Sequence, residues 1–420
     1  MKIGFYLQNN GIKGVNCRTP EEGNPGIGGT EYLFIAIPYA LSVYGCSHEV
    51  SLIANSIENL PSGLETVHVP VDQDIKNNLK VKDLDYLVVR YSPENFELIH
   101  TLPPSVKVIM WAHNFVKRSE LTALANCKRV ACIVCVGSEQ LNFYRDHKAY
   151  YKSVTIFNAY PITNFINNHA EDVIPFNSRA HEVTFLGNLV EYKGFHLLAQ
   201  AWKKVIEKVP DARLNVIGGA RLYDRNQKLG KWGIAEKNYE ETFMPYLLDK
   251  DGQILPSVKF HGVMGKEKSE ILRRTKVGVP NPSGVSETFC IAALEMQLWG
   301  AKIVTIDYGG FKDTVRWGNL YEFPNQMAQY IVDALLETKD DYHRLLQGFK
   351  RFDFSSISKD WNTLFDVLSS GMSLNDVLKP SFKGHEWKER NRKLKYILPF
   401  GHLLPSSMLY ASIINRLFKR

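Results

Sequence analysis

The chain has 420 residues, 45% of them hydrophobic, which suffices for two full-sized domains and is ordinary for a soluble protein. Its net charge of +7 is not a general basicity: residues 379–420 alone carry +8, so the body is close to neutral and a body-wide nucleic-acid surface is excluded. The six cysteines (Cys17, Cys46, Cys127, Cys132, Cys135, Cys290) lie mostly in apolar runs, as core thiols of a reducing compartment do. Cys132 and Cys135 have C-x-x-C spacing, but inside a strand they point to opposite faces and cannot share a ligand.

The opening M-K-I-G-F-Y-L reads as a first β-strand rather than a signal peptide. Further strand-like runs follow at Glu49–Ala54, Tyr86–Arg90, Val106–Trp111, Val130–Val136 and Ser153–Phe157. An apolar helix, Thr30 to Tyr44, lies between the first two, with Thr30 as a suitable N-cap. Such alternation predicts a parallel, doubly wound sheet over residues 1–163. The polar stretch 164–180 reads as a linker. A second series then runs through Glu182–Gly187, Leu214–Gly218, Val258–His261, Lys276–Pro280 and Lys302–Ile306. This predicts a second such domain over 181–353. Residues 220–256 form a long connection with a helix near 236–248, expected to lie near the cleft and touch a substrate.

Phe352–Ser370 reads as a last helix, with Trp361 on its apolar face; residues 354–378 form its segment. The tail, 379–420, has a basic run (Lys383–Lys395) followed by an uncharged stretch (Tyr396–Asn415). The stretch is long enough to span a membrane, but its prolines, glycine, serines and histidine argue against that. The composition suits a surface helix on anionic lipid, or an extension packed on the first domain.

Two segments carry the chemistry. In Asn281–Glu295 the carboxylates Glu287 and Glu295 flank an apolar run, Phe289 to Leu294. With a helix start near Thr288, Glu287 would sit at the positive helix end beside free amides. Glu295 would fall about two turns on, roughly 80° around the axis, so both could face one cleft. Such a helix start can also seat a phosphate. Upstream, the strand Val183–Leu186 leads through Gly187-Asn188 to Lys193-Gly194 and a helix. A lysine in that loop can reach a diphosphate as a point charge.

The chain resembles glycosyltransferase family 4, the group 1 glycosyltransferases of the GT-B fold. The resemblance rests on Gly28-Gly29-Thr30-Glu31, Asn158, Gly187 to Gly194, the strand and turn V-K-F-H-G (Val258–Gly262), Glu287 with Glu295, and Gly309-Gly310. There are departures. Asn188 stands where the family carries a phosphate-binding arginine, Cys290 where it has glycine, and Ala159 where it has glycine. The resemblance implies two Rossmann-like domains facing a central cleft, with residues 354–378 crossing back to the first. It implies a donor site of Gly28, Gly29, Asn188, Lys193, Glu287, Thr288, Phe289, Cys290 and Glu295. His113 would lie near the transferred sugar; Lys193, Glu287 and His113 would be the catalytic set. Arg90, Ser138 and Asn158 end or follow strands and are expected as acceptor or accessory residues.

The implied reaction is retaining, metal-independent transfer of a hexosyl or N-acetylhexosaminyl group. The donor would be a nucleotide-sugar, UDP-linked in preference to GDP-linked. The acceptor would be a glycan or lipid-linked molecule in bacterial surface-polysaccharide assembly. No cofactor is implied, and the expected place is the cytoplasm or the inner face of the plasma membrane. Asp72-Gln73-Asp74 has D-x-D spacing but lies far from the other motifs. A nucleotide-sugar epimerase of the same fold and a non-catalytic two-lobed binding protein are the alternatives. An NAD-linked oxidoreductase is disfavoured because no G-x-G-x-x-G follows a strand.

Overall fold

The computed structural model describes residues 1–220, 227–375, 377–380, 386–398, 400 and 404. Two all-parallel sheets face each other. The first contains β1 (Lys2–Leu7), β2 (Glu49–Ala54), β3 (Glu65–His68), β4 (Tyr86–Arg90), β5 (Lys107–Ala112), β6 (Val130–Cys135) and β7 (Ser153–Thr155). The second contains β8 (Glu182–Leu186), β9 (Arg213–Ile217), β10 (Val258–Gly262), β11 (Val277–Gly278), β12 (Lys302–Ile306) and β13 (Gly318–Tyr321). Their orders are β3-β2-β1-β4-β5-β6-β7 and β10-β9-β8-β11-β12-β13. This is the doubly wound, two-domain GT-B arrangement. The edge strands β3 and β13 were not anticipated. Each is short and only one of its residues is buried, so pairing with a neighbour, not hydrophobic pattern, makes them strands.

Helices cover the sheets: α1 (Gly29–Tyr44), α2 (Ile162–His169), α3 (Phe195–Lys208), α4 (Ile291–Leu298), α5 (Phe354–Ser370) and α6 (Glu386–Ile397). In α3 the buried residues Phe195, Leu198, Ala199, Trp202 and Val205 recur at helical spacing and cover the second sheet. The stretch expected as linker holds α2. Its Thr163 amide donates to Asp353 Oδ1 at 2.7 Å, and Asp353 caps α5, so the chain's two crossings between domains are tied together.

Strand alternation separates two cores in the first domain. Ile109, Trp111, Cys132 and Val134 face one, while Val108, Met110, Ile133 and Cys135 face the other. Cys132 and Cys135 thus lie on opposite faces. The first core continues across the seam through Phe157, Phe289 and Phe352, whose ring centroids are 5.3 to 6.0 Å apart. α5 packs along α1, and Trp361 meets Phe5 at 5.4 Å and Trp111 at 5.1 Å between centroids.

Two expectations need correction. The described part of the long connection, 227–256, packs its short helix Lys237–Phe243 on α3, with Phe195 and Phe243 5.0 Å apart. Glu240 holds its loop by accepting from the amides of Trp232, Ile234 and Ala235. It therefore serves the domain's outer layer. Ser138 does not face the cleft interior. Its amide and hydroxyl both donate to Asp313 at 2.7 Å, clamping the two domains together. Gly137 is needed there because a Cβ would come within 2.2 Å of the Thr288 carbonyl oxygen.

Trp361→Ala should destabilise the protein by about 3–5 kcal/mol, since a fully buried aromatic would leave an unfilled cavity between α5, Phe5 and Trp111. The midpoint of urea unfolding measures it.

Candidate active site

Ligands of open parallel sheets bind beyond the carboxyl ends of strands, where the strand order reverses. In the second sheet that point lies between β8 and β11. The chain leaving β8 supplies Asn188 and Lys193, and the chain leaving β11 supplies Asn281 and Glu287. These two loops touch through Gly194. Its φ of 71° suits glycine, and a Cβ would meet the Ser283 amide nitrogen at 2.6 Å. Asn281 (φ 37°), Gly284 (φ 66°) and Ser286 (φ 57°) turn the second loop sharply enough to aim Glu287 inward.

Glu287 is buried and its Oε2 accepts from Lys193 Nζ at 2.9 Å and from Asn281 Nδ2 at 2.8 Å. This ion pair lies in a cavity of about 230 Å³ between the domains. α4 begins at Ile291 rather than near Thr288, so Glu287 precedes its first turn instead of capping it. The residues between form no regular element, and Thr288 and Phe289 are taken up by the seam. Thr288 Oγ1 donates to the His113 carbonyl at 2.5 Å, and Phe289 stacks with Phe157 and Phe352. Ile291 and Ala292, at the start of α4, line the cavity. Burial pushes the Cys290 thiol well up, which keeps it a neutral wall residue.

Three polar side chains of the cavity wall present buried atoms with no hydrogen-bond partner among the described residues. Asn188 does so with both Nδ2 and Oδ1, Asn158 with Oδ1 and His113 with Nε2. All three line the cavity. Each orphaned group costs about 1–3 kcal/mol, which a ligand rich in hydroxyl or phosphate oxygens would recover. Burial, and then the Arg90 guanidinium, push His113 down to about 3, so the ring is neutral and available as a hydrogen-bond group rather than a cation.

Glu295 forms the far wall. Its Oε1 lies 3.1 Å from Lys268 Nζ, and both side chains are buried. Lys268 also donates to the Asn24 carbonyl at 2.8 Å, so it bridges the domains. The sequence reading missed Lys268. The available signal was the carboxyl end of β10, just after which it lies, but a charged run such as K-E-K-S-E looks like a solvated turn. Asn281 was likewise passed over as part of a loop.

The wall, among the described residues, contains Gly29, Asn188, Lys193, Glu287, Thr288, Phe289, Cys290, Glu295, His113 and Asn158. It does not contain Gly28, Arg90 or Ser138. Gly28 caps α1 behind the wall. Arg90 pairs with Glu31 at 3.2 Å, a partly exposed bridge between β4 and α1. Asp72 of the D-x-D is absorbed by Tyr6, Gln8 and Asn55 inside the first domain.

Residues 180–341 match the family model described as Glycosyl transferases group 1. No curated protein matches the chain. Among solved structures it is similar to HepE of Anabaena in complex with UDP and glucose, at 15% identity and a TM-score of 0.62, covering 88% of this chain and 100% of that one. It is also similar to a glycosyltransferase from Rickettsia africae (12% identity, TM-score 0.58, 87% and 98% covered). A third similar structure is AviGT4, a glycosyltransferase involved in avilamycin A biosynthesis (15% identity, TM-score 0.58, 89% and 99% covered). At these identities the likeness is one of fold.

Two outcomes follow from the charges. Lys268→Ala should cost about 3–5 kcal/mol of stability, because it strands Glu295 as a buried unpaired carboxylate. Adding Glu295→Leu should return part of the loss in the same unfolding assay. For His113, the unfolded chain binds a proton below about pH 6.5 and the folded one only near 3. Stability should therefore fall as pH drops through that window, and His113→Gln should flatten the slope of unfolding free energy against pH.

Proposed function

We propose, from the match of residues 180–341 to the group 1 glycosyltransferases and from the GT-B fold of the described residues, that this protein is a retaining, metal-independent glycosyltransferase. Its donor is a nucleotide-sugar, UDP-linked ahead of GDP-linked, because the similar HepE binds UDP. The transferred group is a hexosyl or N-acetylhexosaminyl unit. The acceptor is a glycan or lipid-linked molecule, in surface-polysaccharide assembly at the cytoplasmic face of the membrane. Among the described residues no helix is long and apolar enough to cross a membrane.

The observation that carries this reading is the Lys193–Glu287 pair, set among unpaired amide groups where both sheets end. The donor's diphosphate competes with Glu287 for the Lys193 ammonium. As it takes Lys193, Glu287 is released to accept hydrogen bonds from the sugar hydroxyls, still steadied by Asn281. The bond between the anomeric carbon and the β-phosphate oxygen then breaks. Charge develops on that oxygen, beside Lys193 and the first amides of α4, where preorganised donors contribute most. The acceptor oxygen bonds to the anomeric carbon on the same face, and its proton passes to the departing phosphate. Glu295 holds the ribose. His113, neutral, offers Nε2 to a sugar hydroxyl. Asn188 supplies hydrogen bonds but no charge where relatives of this family carry arginine, so Lys193 bears more of the diphosphate.

UDP should raise the melting temperature more than GDP or ADP does, and Lys193→Ala should abolish that rise. Lys193→Ala and Glu287→Gln should each lower kcat/KM by about 10²–10³. NMR of the product should show the donor's anomeric configuration. Inversion, or donor turnover without any acceptor as an epimerase would give, defeats the proposal.

A further inference from the structure

Two lysines, Lys193 and Lys268, line the interdomain cavity, and each pairs with a buried carboxylate. Their surroundings differ. The Lys193 side chain is 21% exposed and that of Lys268 only 7%. Lys268 is also held from the first domain, because it donates to the Asn24 carbonyl at 2.8 Å. Asn24 is itself fixed. Its Oδ1 accepts from the amides of Gly26 and Ile27, and its Nδ2 donates to the Ile27 carbonyl, each at 2.9 Å. This loop presses on the second domain at Gly26, where a Cβ would come within 2.9 Å of the Met264 carbonyl oxygen. The Lys268 ammonium is thus set in place by both domains.

An ammonium carries three N–H donors, and an ionised carboxylate has about four acceptor positions. Among the described residues Lys268 has two partners, Glu295 Oε1 at 3.1 Å and the Asn24 carbonyl, so one donor remains. Tyr160 stands beside the same carboxylate. Burial, and then the Glu295 charge, push its phenol well up, so it stays a neutral hydroxyl and leaves further acceptor positions on Glu295. The pair is not sealed within protein. Lys268 and Glu295 line both the first cavity and a second interdomain cavity of about 650 Å³. Open space adjoins them, where the remaining donor and acceptors can meet a ligand.

The pair has no net charge, and that selects the ligand group. A diphosphate that took Lys268 would have to break its contacts with Glu295 and Asn24, leaving a buried carboxylate beside phosphate. Glu287, by contrast, keeps Asn281 when Lys193 is claimed. A hydroxyl fits the Lys268–Glu295 pair, since it gives a proton to the carboxylate and accepts one from the ammonium. We propose that Lys268 reads the donor's ribose jointly with Glu295. The carboxylate accepts from one of the two neighbouring ribose hydroxyls, and the remaining Lys268 N–H donates to the oxygen of the other. The inference rests on the reading of Glu295 as the ribose residue, and adds to it a group anchored from the first domain. Its consequence is selection of ribonucleotides over deoxyribonucleotides, because a missing hydroxyl leaves a buried donor or acceptor without a partner.

Calorimetric titration of the full chain with UDP, 2′-deoxy-UDP and 3′-deoxy-UDP tests this. Wild type should bind UDP at least ~10-fold more tightly than either analogue. Lys268→Met keeps the aliphatic stem and removes the donor, and it should cut that preference below ~3-fold. Loss of a lysine with only a structural role would weaken all three ligands alike and preserve the ratio. If Lys268→Met does not fold with Glu295 left unpaired, the comparison of Glu295→Gln with the double change Glu295→Gln and Lys268→Met decides. The first should keep a preference for UDP that the second loses. A Lys268→Met protein with the wild-type ratio, or wild type that binds the three ligands equally, overturns the proposal and leaves the transferase reading intact. Wild type that does not bind UDP at all overturns the reading of a UDP-linked donor, and this inference with it.

Discussion

The Lys193–Glu287 ion pair is the contact around which the interdomain cavity is organised. A charged pair removed from water persists only when its remaining valences are met. Here Asn281 meets one, from a loop whose backbone occupies the left-handed region at Asn281 and Ser286. That loop keeps its course because Gly194 lets the neighbouring loop press against Ser283. Together they hold a buried carboxylate against the Lys193 ammonium in the interdomain cavity.

The same economy shapes the seam between the domains. Thr288 and Phe289 directly follow Glu287, and both reach across to the first domain. Asp313 reaches Ser138, and Lys268 reaches the Asn24 carbonyl. Any relative movement of the domains must therefore disturb residues adjacent to the ion pair. The two domains are in this way joined beside the ion pair through a few short side-chain links.

Much of the candidate site could be read without coordinates. Asn188, Lys193, Glu287 and Glu295 follow strand ends or sit beside an apolar helix, and all line one cavity. Lys268 escaped because nothing in K-E-K-S-E distinguishes a lysine that bridges two domains from one in solvent. Ser138 and Arg90 obey the strand-end rule equally well, yet Asp313 and Glu31 take them elsewhere. The rule locates a sheet edge, and the neighbouring side chains determine what each residue at that edge does.

The alternation of apolar runs with helical periodicity was enough to establish two doubly wound domains, because burial on both faces of a parallel sheet leaves its mark on the central strands. The same patterns put the chain's polar loops at one edge of each sheet. Which carboxylate meets which lysine, where α4 begins, and which side of α6 faces outward were settled only by the tertiary structure. Those outcomes depend on partners far apart in the chain. Asp146 and Lys395 show this most plainly: each by itself reads as a solvated surface charge, and only the fold makes them a buried pair.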